Sequence, residues 1–237
     1  MKQEVVNRII QENRRGYNQI AEKFSNTRKY PWREFNTFKA YVKHGQAVLD
    51  AGCGNGRLYN FLLDKKINYS GLDSSKQLIA IAKREHPNIN FGVGDITVMP
   101  YPDNSFDVIF CIATLHHIPG DKLRQKVISE FRRVLKPGGY LLMTNWNLFN
   151  LQWWPALMKY SLKKLFGQNQ LDWRDVQKPW KDNYGAVTTN RYLHAFTKNE
   201  VKEILKRNNF SHIEQFYSKK YSPANWIRGF NLVSIAR

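Results

Sequence analysis

The sequence predicts an α/β fold organised on a doubly wound, seven-stranded sheet whose central strands are parallel. Apolar strand-like segments alternate with amphipathic helical segments through the middle of the chain. The first such strand runs into a glycine-rich turn, DAGCGNG at residues 50–56, and the second ends on Asp73, twenty-three residues after Asp50. A turn of this kind with an acid about 20 residues later is typical of sheets that bind a nucleotide-like ligand at the carboxyl ends of their strands.

Residues 1–46 are expected to form a helical extension. Apolar residues fall on one face of residues 3–24, which predicts one amphipathic helix with Gly16 as the place where it is interrupted. A polar loop follows and contains Arg28 and Trp32, then a second short helix over 33–43. We expect Trp32 to anchor the loop in the core. Arg28 is a candidate functional residue, because a simple connecting loop does not require an arginine there.

Residues 47–146 are expected to form a cofactor-binding core. Its strands are predicted at 47–50, 89–93, 106–110 and 140–146, with a further strand that ends at 71–73 and a helix at 121–135 that stops at a Lys-Pro-Gly-Gly segment. The segments after strands three and four line the crevice at the carboxyl edge of the sheet. They carry the candidate residues Asp95, Ile96, Cys111, His116 and His117.

The strand-helix alternation stops after residue 146. Residues 147–196 are expected to form an inserted cap, with a helix in which Trp153 and Trp154 pack on the domain. Residues 197–237 resume with a capping box at Thr197 and Glu200, a helix to Arg207, and two final strands at 212–217 and 230–236 that pair as a hairpin at the sheet edge. The expected organisation is therefore one domain, residues 1–237, in four parts.

The charge of the chain is unevenly distributed. The 37 Lys and Arg against 19 Asp and Glu give a net charge of +18. Residues 1–47 carry +6, residues 48–146 carry +3 and residues 147–237 carry +9, so the basic excess lies in the flanks. Basic flanks around a nearly neutral core indicate a polyanionic partner, and nucleic acid is the foremost candidate.

The remaining composition excludes several classes of protein. Cys53 lies inside the glycine turn and Cys111 at a strand end, an arrangement that predicts neither a disulfide framework nor a metal site. No apolar run is long enough for a membrane helix, and the first residues lack a signal-peptide core. We expect a cytoplasmic protein without a membrane partner.

The core resembles the class I S-adenosylmethionine-dependent methyltransferases. The D-x-G-x-G-x-G turn is similar to their first motif, and Asp73, Asp95-Ile96 and the LKPGG segment at 135–139 follow in the matching order. The resemblance implies a Rossmann-like methyltransferase sheet and S-adenosylmethionine as cofactor. The implied cofactor-binding residues are Asp50, Gly52, Cys53, Gly54, Gly56, Asp73, Ser74, Asp95, Ile96 and Cys111.

The flanks resemble a narrower family, the tRNA wobble-uridine carboxymethyl methyltransferases. Two segments carry this resemblance: Ile20-Ala21 with FSNTRKYPW at 24–32, and RYLH at 191–194, where Leu193 stands at a usually aromatic position. It implies a tRNA substrate, a carboxylate clamp at Arg28 with Arg191 and His194 nearby, and in some members a small activator subunit. His116 or His117 would orient the base or carboxylate, or would form a pocket wall without a chemical role.

Two other functions are compatible with the residues. One is a methyltransferase for a small metabolite, such as a quinone precursor or a carboxylic acid, with His116 or His117 as general base and the basic flanks incidental. The other is a tRNA-binding or scaffold protein without turnover, which the complete cofactor motif disfavours. Methylation of a tRNA carboxylate needs no general base, because a carboxylate is already ionised at neutral pH.

Overall fold

The computed structural model describes residues 1–28, 32, 35–181, 187–219 and 222–237. Its strands are β1 Ala47–Ala51, β2 Asn68–Asp73, β3 Asn90–Val93, β4 Phe106–Ile112, β5 Leu135–Trp146, β6 Asp175–Lys181, β7 Val187–His194, β8 Ile213–Lys219, β9 Ser222–Ala224 and β10 Asn231–Ala236. Its α-helices are α1 Gln3–Gln19, α2 Ala21–Asn26, α3 Phe35–Phe38, α4 Arg57–Phe61, α5 Lys76–Glu85, α6 Asp121–Val134, α7 Trp154–Leu165 and α8 Lys198–Arg207.

The main sheet has the order β3-β2-β1-β4-β5-β10-β8-β9. β1, β2, β3, β4 and β5 pair in parallel, and β10 joins β5 and β8 in antiparallel fashion. The strand order reverses between β1 and β4, which opens a crevice at their carboxyl ends. The doubly wound α/β sheet is confirmed, with the terminal hairpin at its edge, and the three-residue β9 adds an eighth strand to the seven expected.

Apolar clusters cover both faces of the sheet, as a parallel sheet requires. On one face α6 and α8 contribute buried residues such as Phe131 and Leu205. On the other, α3, α4 and α5 contribute Phe38, Leu58 and Ile79. The burial of both faces fixes β1 and β4 in the middle of the molecule, so the ends of these strands form a rigid floor for a site.

The N-terminal extension differs from the single helix expected. α1 continues through Gly16 and ends at Gln19, since Ile20 leaves the helical conformation before α2 begins. Gly16 instead allows α1 to lie close to β7, because a Cβ at Gly16 would overlap the side chain of Thr189 on β7. Only residues 35–38 of the predicted second helix are α-helical, followed by a 3₁₀ turn; the expectations for residues 29–31, 33 and 34 lie outside the described residues.

The cap contains structure that the sequence did not predict. After a 3₁₀ turn at Leu151–Trp153 and helix α7, β6 and β7 form a separate antiparallel hairpin. Trp153 is buried as expected, whereas Trp154 is 42% exposed, so the expectation that both pack on the domain is wrong for Trp154. No helix in the described part of the chain is long and apolar enough to cross a membrane. The four-part division of one domain stays a prediction.

Candidate functional site

A cavity opens at the carboxyl ends of β1, β2 and β4, where the strand order reverses. Its floor comes from the strand ends and its roof from α1, α2 and β7. Of the predicted site residues, those that line it are Arg28, Asp50, Gly52, Cys53, Gly54, Asp73, Ser74, Asp95, Ile96 and Arg191. Gly56, Cys111, His116 and His194 are not among its lining residues. Gly56 is instead the N-cap residue before α4, at φ 77°, and Cys111 is fully buried in β4.

The glycine turn brings bare backbone to the cavity wall. Gly52 has φ +86° and Gly54 has φ +56°, conformations that side chains rarely adopt. A Cβ on Gly52 would also overlap the side chain of Thr114, whereas a Cβ on Gly54 would meet only the Phe24 ring at 3.6 Å. The turn therefore keeps an open cradle that a larger residue would fill.

Asp73 lies across the turn and is held by backbone donors. Its carboxylate accepts hydrogen bonds from Gly54 N at 2.9 Å and from Ser75 N at 2.8 Å. Burial raises the pKa of Asp73, and these backbone donors act in the opposite direction. Each carboxylate oxygen retains a lone pair beyond these bonds, so Asp73 can still accept from hydroxyl groups of a ligand.

Asp50 forms the deepest acidic part of the cavity. It is 3% exposed, and its carboxylate accepts a 2.7 Å hydrogen bond from the Tyr69 hydroxyl. Burial raises the pKa of Asp50 to about 7 despite that bond. A cationic ligand beside Asp50 would favour its charged form and lower that pKa again.

Tyr17 and His117 form a hydrogen-bonded pair in the roof. The Tyr17 hydroxyl lies 2.9 Å from His117 Nε2, and His117 Nδ1 lies 2.9 Å from the Tyr192 carbonyl. Since the carbonyl can only accept, Nδ1 carries the proton and Nε2 accepts from Tyr17. Burial lowers the pKa of His117 to about 4, so the ring is neutral at physiological pH.

Asn13 joins the roof elements to one another. Its side-chain amide donates to the His117 carbonyl at 3.1 Å and accepts from Tyr192 N at 3.1 Å. α1, β7 and the segment after β4 are thereby fixed as one wall. Sequence reasoning missed Asn13 and Tyr17, since both lie within an amphipathic pattern that a plain packing helix would also show.

Two arginines from distant parts of the chain meet at the indole of Trp180 on β6. The guanidinium carbon of Arg191 lies 4.3 Å from the ring centre, and that of Arg28 lies 5.3 Å from it. Arg28 also lies over Phe24 at 4.2 Å, and Arg191 lies 5.4 Å from the Trp146 ring centre. The predicted neighbourhood of Arg28 and Arg191 is present in the structure, on an aromatic platform that was not predicted.

His194 lies elsewhere, which corrects the expectation that it stands beside the two arginines. Its Nδ1 is 2.6 Å from Asp175 Oδ1 and its Nε2 is 2.8 Å from Glu200 Oε1, so both ring nitrogens are already used. The ring is 2% exposed. This buried cluster ties the cap hairpin to the start of α8, where Glu200 also pairs with Arg174.

His116 also lies behind the cavity wall, not in it. It is fully buried, its ring stacks on Trp146 with centroids 5.2 Å apart, and its Nδ1 accepts from Trp146 N at 3.3 Å. Burial holds the pKa of His116 well below its usual value. Its neighbour His117 is the histidine that reaches the cavity, so of the two alternatives the geometry favours His117 for contact with a ligand.

Comparison with known proteins agrees with this geometry. Residues 49–143 match the family described as a methyltransferase domain. The chain is 27% identical over 228 residues to the tRNA (carboxymethyluridine(34)-5-O)-methyltransferase of Schizosaccharomyces pombe, covering 89% of this chain and 91% of that one. It is 35% identical over 152 residues to the Arabidopsis thaliana protein of the same name, covering 62% of this chain but only 37% of the relative. A SAM-dependent methyltransferase structure from Methanosarcina mazei superposes with a TM-score of 0.66 at 22% identity, over 87% of this chain and 96% of that one.

The family match shows a methyltransferase domain at residues 49–143, and the superposition shows the fold that the resemblance to class I methyltransferases implies. S-adenosylmethionine is the cofactor that this resemblance implies. The cavity fits this cofactor: the cradle at Gly54 admits an extended ligand, Asp73 has acceptor capacity for ribose hydroxyls, and Asp50 suits a positive charge. Asp95 and Ile96 line the same wall, where they would contact the adenine of the cofactor. In the described part of the chain, no cluster of side chains could hold a metal ion, and both cysteines are buried free thiols.

Proposed function

We propose that this chain, which carries a methyltransferase domain of the S-adenosylmethionine-dependent type, methylates the carboxylate of a carboxymethyl-type uridine at the wobble position of tRNA. The product is a methyl ester. The relatives named above act on a carboxymethyluridine by their names, and the flanking segments of this chain resemble that family. The substrate assignment itself depends on the roof of the cavity.

The observation that most directly supports a carboxylate substrate is that Arg28 and Arg191 both lie against the Trp180 ring. Arg191 is 6% exposed, and in the described residues it forms no ion pair with an acid. Its Nε has no hydrogen-bond partner there either. A buried guanidinium without an acidic partner is costly unless a ligand supplies the anion. A carboxylate matches the planar donor pair of a guanidinium in bidentate fashion.

The charges of the cavity wall support the same assignment. Among the lining residues, Asp50, Asp73 and Asp95 lie at the strand ends together with Arg57, whereas Arg14, Arg28 and Arg191 lie in the roof. An acidic floor favours the cationic cofactor, and a basic roof favours an anionic substrate above it. A neutral small substrate would gain nothing from the roof.

The chemistry requires little of the protein beyond alignment. When bound, S-adenosylmethionine supplies an electrophilic methyl group, which a carboxylate oxygen accepts as the carbon–sulfur bond breaks and its electron pair stays on sulfur. The arginines hold the carboxylate, and the rings of Phe24, Trp146 and Trp180 exclude water around it. No proton moves, and neutral His117, already bonded to Tyr17, serves as a fixed part of the wall.

The edge of the main sheet provides a place for an activator subunit, which the resemblance implies. β3 pairs with β2 on one side only within the described sheet, and Val93 at its end is 48% exposed. An unpaired edge strand accepts an added strand through main-chain hydrogen bonds. We propose that an activator, where one is used, binds along β3.

The proposal is tested with cofactor carrying a labelled methyl group and tRNA containing carboxymethyluridine at the wobble position. We expect label in the tRNA, released by mild base because an ester hydrolyses where a ring or ribose methyl group does not. A parallel incubation with a small-metabolite extract tests the alternative substrate class. Label in a metabolite and none in tRNA would overturn the proposal.

A further inference from the structure

Tyr17 on α1 lies where the roof of the cavity meets the two arginines. Its ring packs edge-on against Phe24 at 5.7 Å and against His117 at 5.5 Å, so its position is fixed by packing on both sides. Tyr17 lines the cavity together with Arg28 and Arg191. The methyl-transfer chemistry described above gives its hydroxyl no role of its own.

The hydroxyl proton of Tyr17 is already used. Because the Tyr192 carbonyl can only accept, His117 carries its proton on Nδ1, and its Nε2 accepts from the Tyr17 hydroxyl at 2.9 Å. A hydroxyl has one proton and two acceptor lone pairs. On its remaining side Tyr17 therefore acts only as an acceptor, and the group that it binds there must be a donor.

Arg191 is the donor that reaches this oxygen. The Tyr17 hydroxyl accepts a hydrogen bond from the Arg191 guanidinium, and both this bond and the arginine charge act to lower the pKa of Tyr17. Burial has the larger effect and raises that pKa, so the hydroxyl stays neutral. Arg191 is thereby held by a neutral acceptor, which does not cancel its charge as a carboxylate would.

The backbone beside Arg191 is held by the same network. Tyr192, the next residue on β7, donates its N–H to Asn13 Oδ1 at 3.1 Å and accepts from His117 at its carbonyl. The hydrogen bonds therefore run from the guanidinium through Tyr17 and His117 back to the backbone one residue further along. Donors that all point the same way along such a chain polarise one another, which strengthens each bond.

The contact with Trp180 does not by itself orient the guanidinium. The centre of the indole ring lies 4.3 Å from the guanidinium carbon of Arg191 and attracts its charge, but a ring face offers no single acceptor atom. A carboxylate is bound in bidentate fashion only when two N–H groups point at it together. The hydrogen bond to Tyr17 supplies the direction that the ring lacks.

We propose that Tyr17 is a positioning residue, which holds the Arg191 guanidinium in the orientation that receives a substrate carboxylate and leaves its charge intact. This inference rests on the proposed function, because it takes a carboxylate to be the group that Arg191 binds. In this role Tyr17 acts only through Arg191. Its hydroxyl should therefore affect activity only while Arg191 is present.

The first test needs no substrate. NMR of the full-length protein with isotope-labelled arginine reports how fast each guanidinium turns about its Nε–Cζ bond. We expect slow rotation for Arg191 in the wild type and fast rotation in Tyr17→Phe, which keeps the ring and removes only the hydroxyl. The signal is assigned by its loss in Arg191→Lys. Tyr160→Phe removes the hydroxyl of a half-buried tyrosine of α7 that is not among the residues lining the cavity, and should leave the rotation slow.

The second test is a double-mutant cycle on methyl transfer to carboxymethyl tRNA. Tyr17→Phe should lower kcat/KM about ten-fold in the wild-type background, the effect expected for one hydrogen bond to a charged group. In the Arg191→Ala background the same change should cost less than about two-fold, because no guanidinium is left to position. Cofactor affinity should stay at the wild-type value in all variants.

The two tests separate the failure of this inference from the failure of the proposed function. Unchanged Arg191 rotation in Tyr17→Phe, or equal losses of kcat/KM in the two backgrounds, would overturn the positioning role and leave tRNA methylation standing. Weaker cofactor binding in Tyr17→Phe would also overturn it and make Tyr17 a cofactor contact. Faster Arg191 rotation in Tyr17→Phe, with no methyl transfer to tRNA by the wild type, would support the positioning role and overturn the proposed function alone.

Discussion

The guanidinium of Arg191 lies 4.3 Å from the ring centre of Trp180, so a buried cation is held against an aromatic face at the roof of the cofactor cavity. Such a contact contributes about 1–2 kcal/mol when desolvated, which positions the guanidinium but does not neutralise it. The remaining charge is available to a ligand. The proposed carboxylate chemistry depends on this pair, with Arg28 on the same indole.

Removing the Arg191 guanidinium is expected to damage substrate use without affecting the cofactor. A hydrogen bond to a charged group contributes about 1.5–3 kcal/mol, so Arg191→Ala should lower kcat/KM for carboxymethyl tRNA roughly 10- to 150-fold. Arg191→Lys keeps the charge but loses the two-pronged donor, and should recover only part of the activity. Calorimetry should give wild-type cofactor affinity for both variants; a parallel loss would argue against a separate substrate clamp.

The rate of methyl transfer is expected to be independent of pH across neutrality. With a pKa of about 4, His117 does not titrate between pH 6 and 8, and an ionised carboxylate needs no base. Single-turnover rates at saturating cofactor should therefore be flat over that range, saturation being needed because Asp50 titrates near neutrality. A rate that falls below pH 6.5 would indicate a histidine base and favour the metabolite alternative.

The buried carboxyl of Asp50 is expected to make stability fall as pH rises. Its folded pKa of about 7 exceeds the ordinary value of 3.8 for an aspartate, so between these values the folded state keeps a proton that the unfolded chain has released. By linkage, the free energy of unfolding decreases from about pH 4 to pH 7 by an amount on the order of 4 kcal/mol from this group. Asp50→Asn should remove that part of the slope in urea titrations at pH 4.5 and 7.5. An identical slope in the variant would contradict the assignment.

Two glycines with similar positive φ angles should respond differently to substitution by alanine. Gly52 at φ +86° has no room for a Cβ beside Thr114, whereas Gly45 at φ +76° has nothing within 4 Å. Gly45→Ala should cost only backbone strain, about 1 kcal/mol, with normal cofactor binding. Gly52→Ala should displace the cavity wall and abolish measurable cofactor affinity. Comparable cofactor affinity in the two variants would show that cofactor binding does not require the space beside Gly52.

His194 is expected to act through stability and not through catalysis. His194→Ala leaves Asp175, which is 1% exposed, without its 2.6 Å partner, and breaking such a buried pair costs about 3–5 kcal/mol. Denaturant unfolding should show this loss, while the folded fraction retains the wild-type kcat at saturating substrates. A variant with normal stability but little activity would indicate that His194 acts in the active site.

The core was predictable because its signals are local. The glycines mark positive φ at the turn, and the spacing to Asp73 follows from the length of one strand-helix-strand unit, so both fall at the cavity as expected. The cap hairpin was not predictable, since the pairing of β6 with β7 is set by contacts with α1 through Asn13 and by Trp180, which no local pattern records.

The error at His194 had a signal in the sequence. Arg191 and His194 are three residues apart, and side chains of a strand alternate between its faces, so the two cannot share a face once the segment is a strand. His116 and His117 are a different case, since neighbours in a 3₁₀ turn point in different directions and only the packing decides which one reaches the cavity.

The most direct test of the account is the mass of the wobble nucleoside after reaction. Carboxymethyl tRNA is incubated with wild-type protein and S-adenosylmethionine, digested to nucleosides and analysed by mass spectrometry, with Arg191→Ala as the matched control. The account predicts that carboxymethyluridine is replaced by its methyl ester, heavier by one CH₂ and reverted by mild base, and that the variant forms far less of it. Unchanged carboxymethyluridine, or a methyl group on the ring or ribose, would contradict the carboxylate clamp.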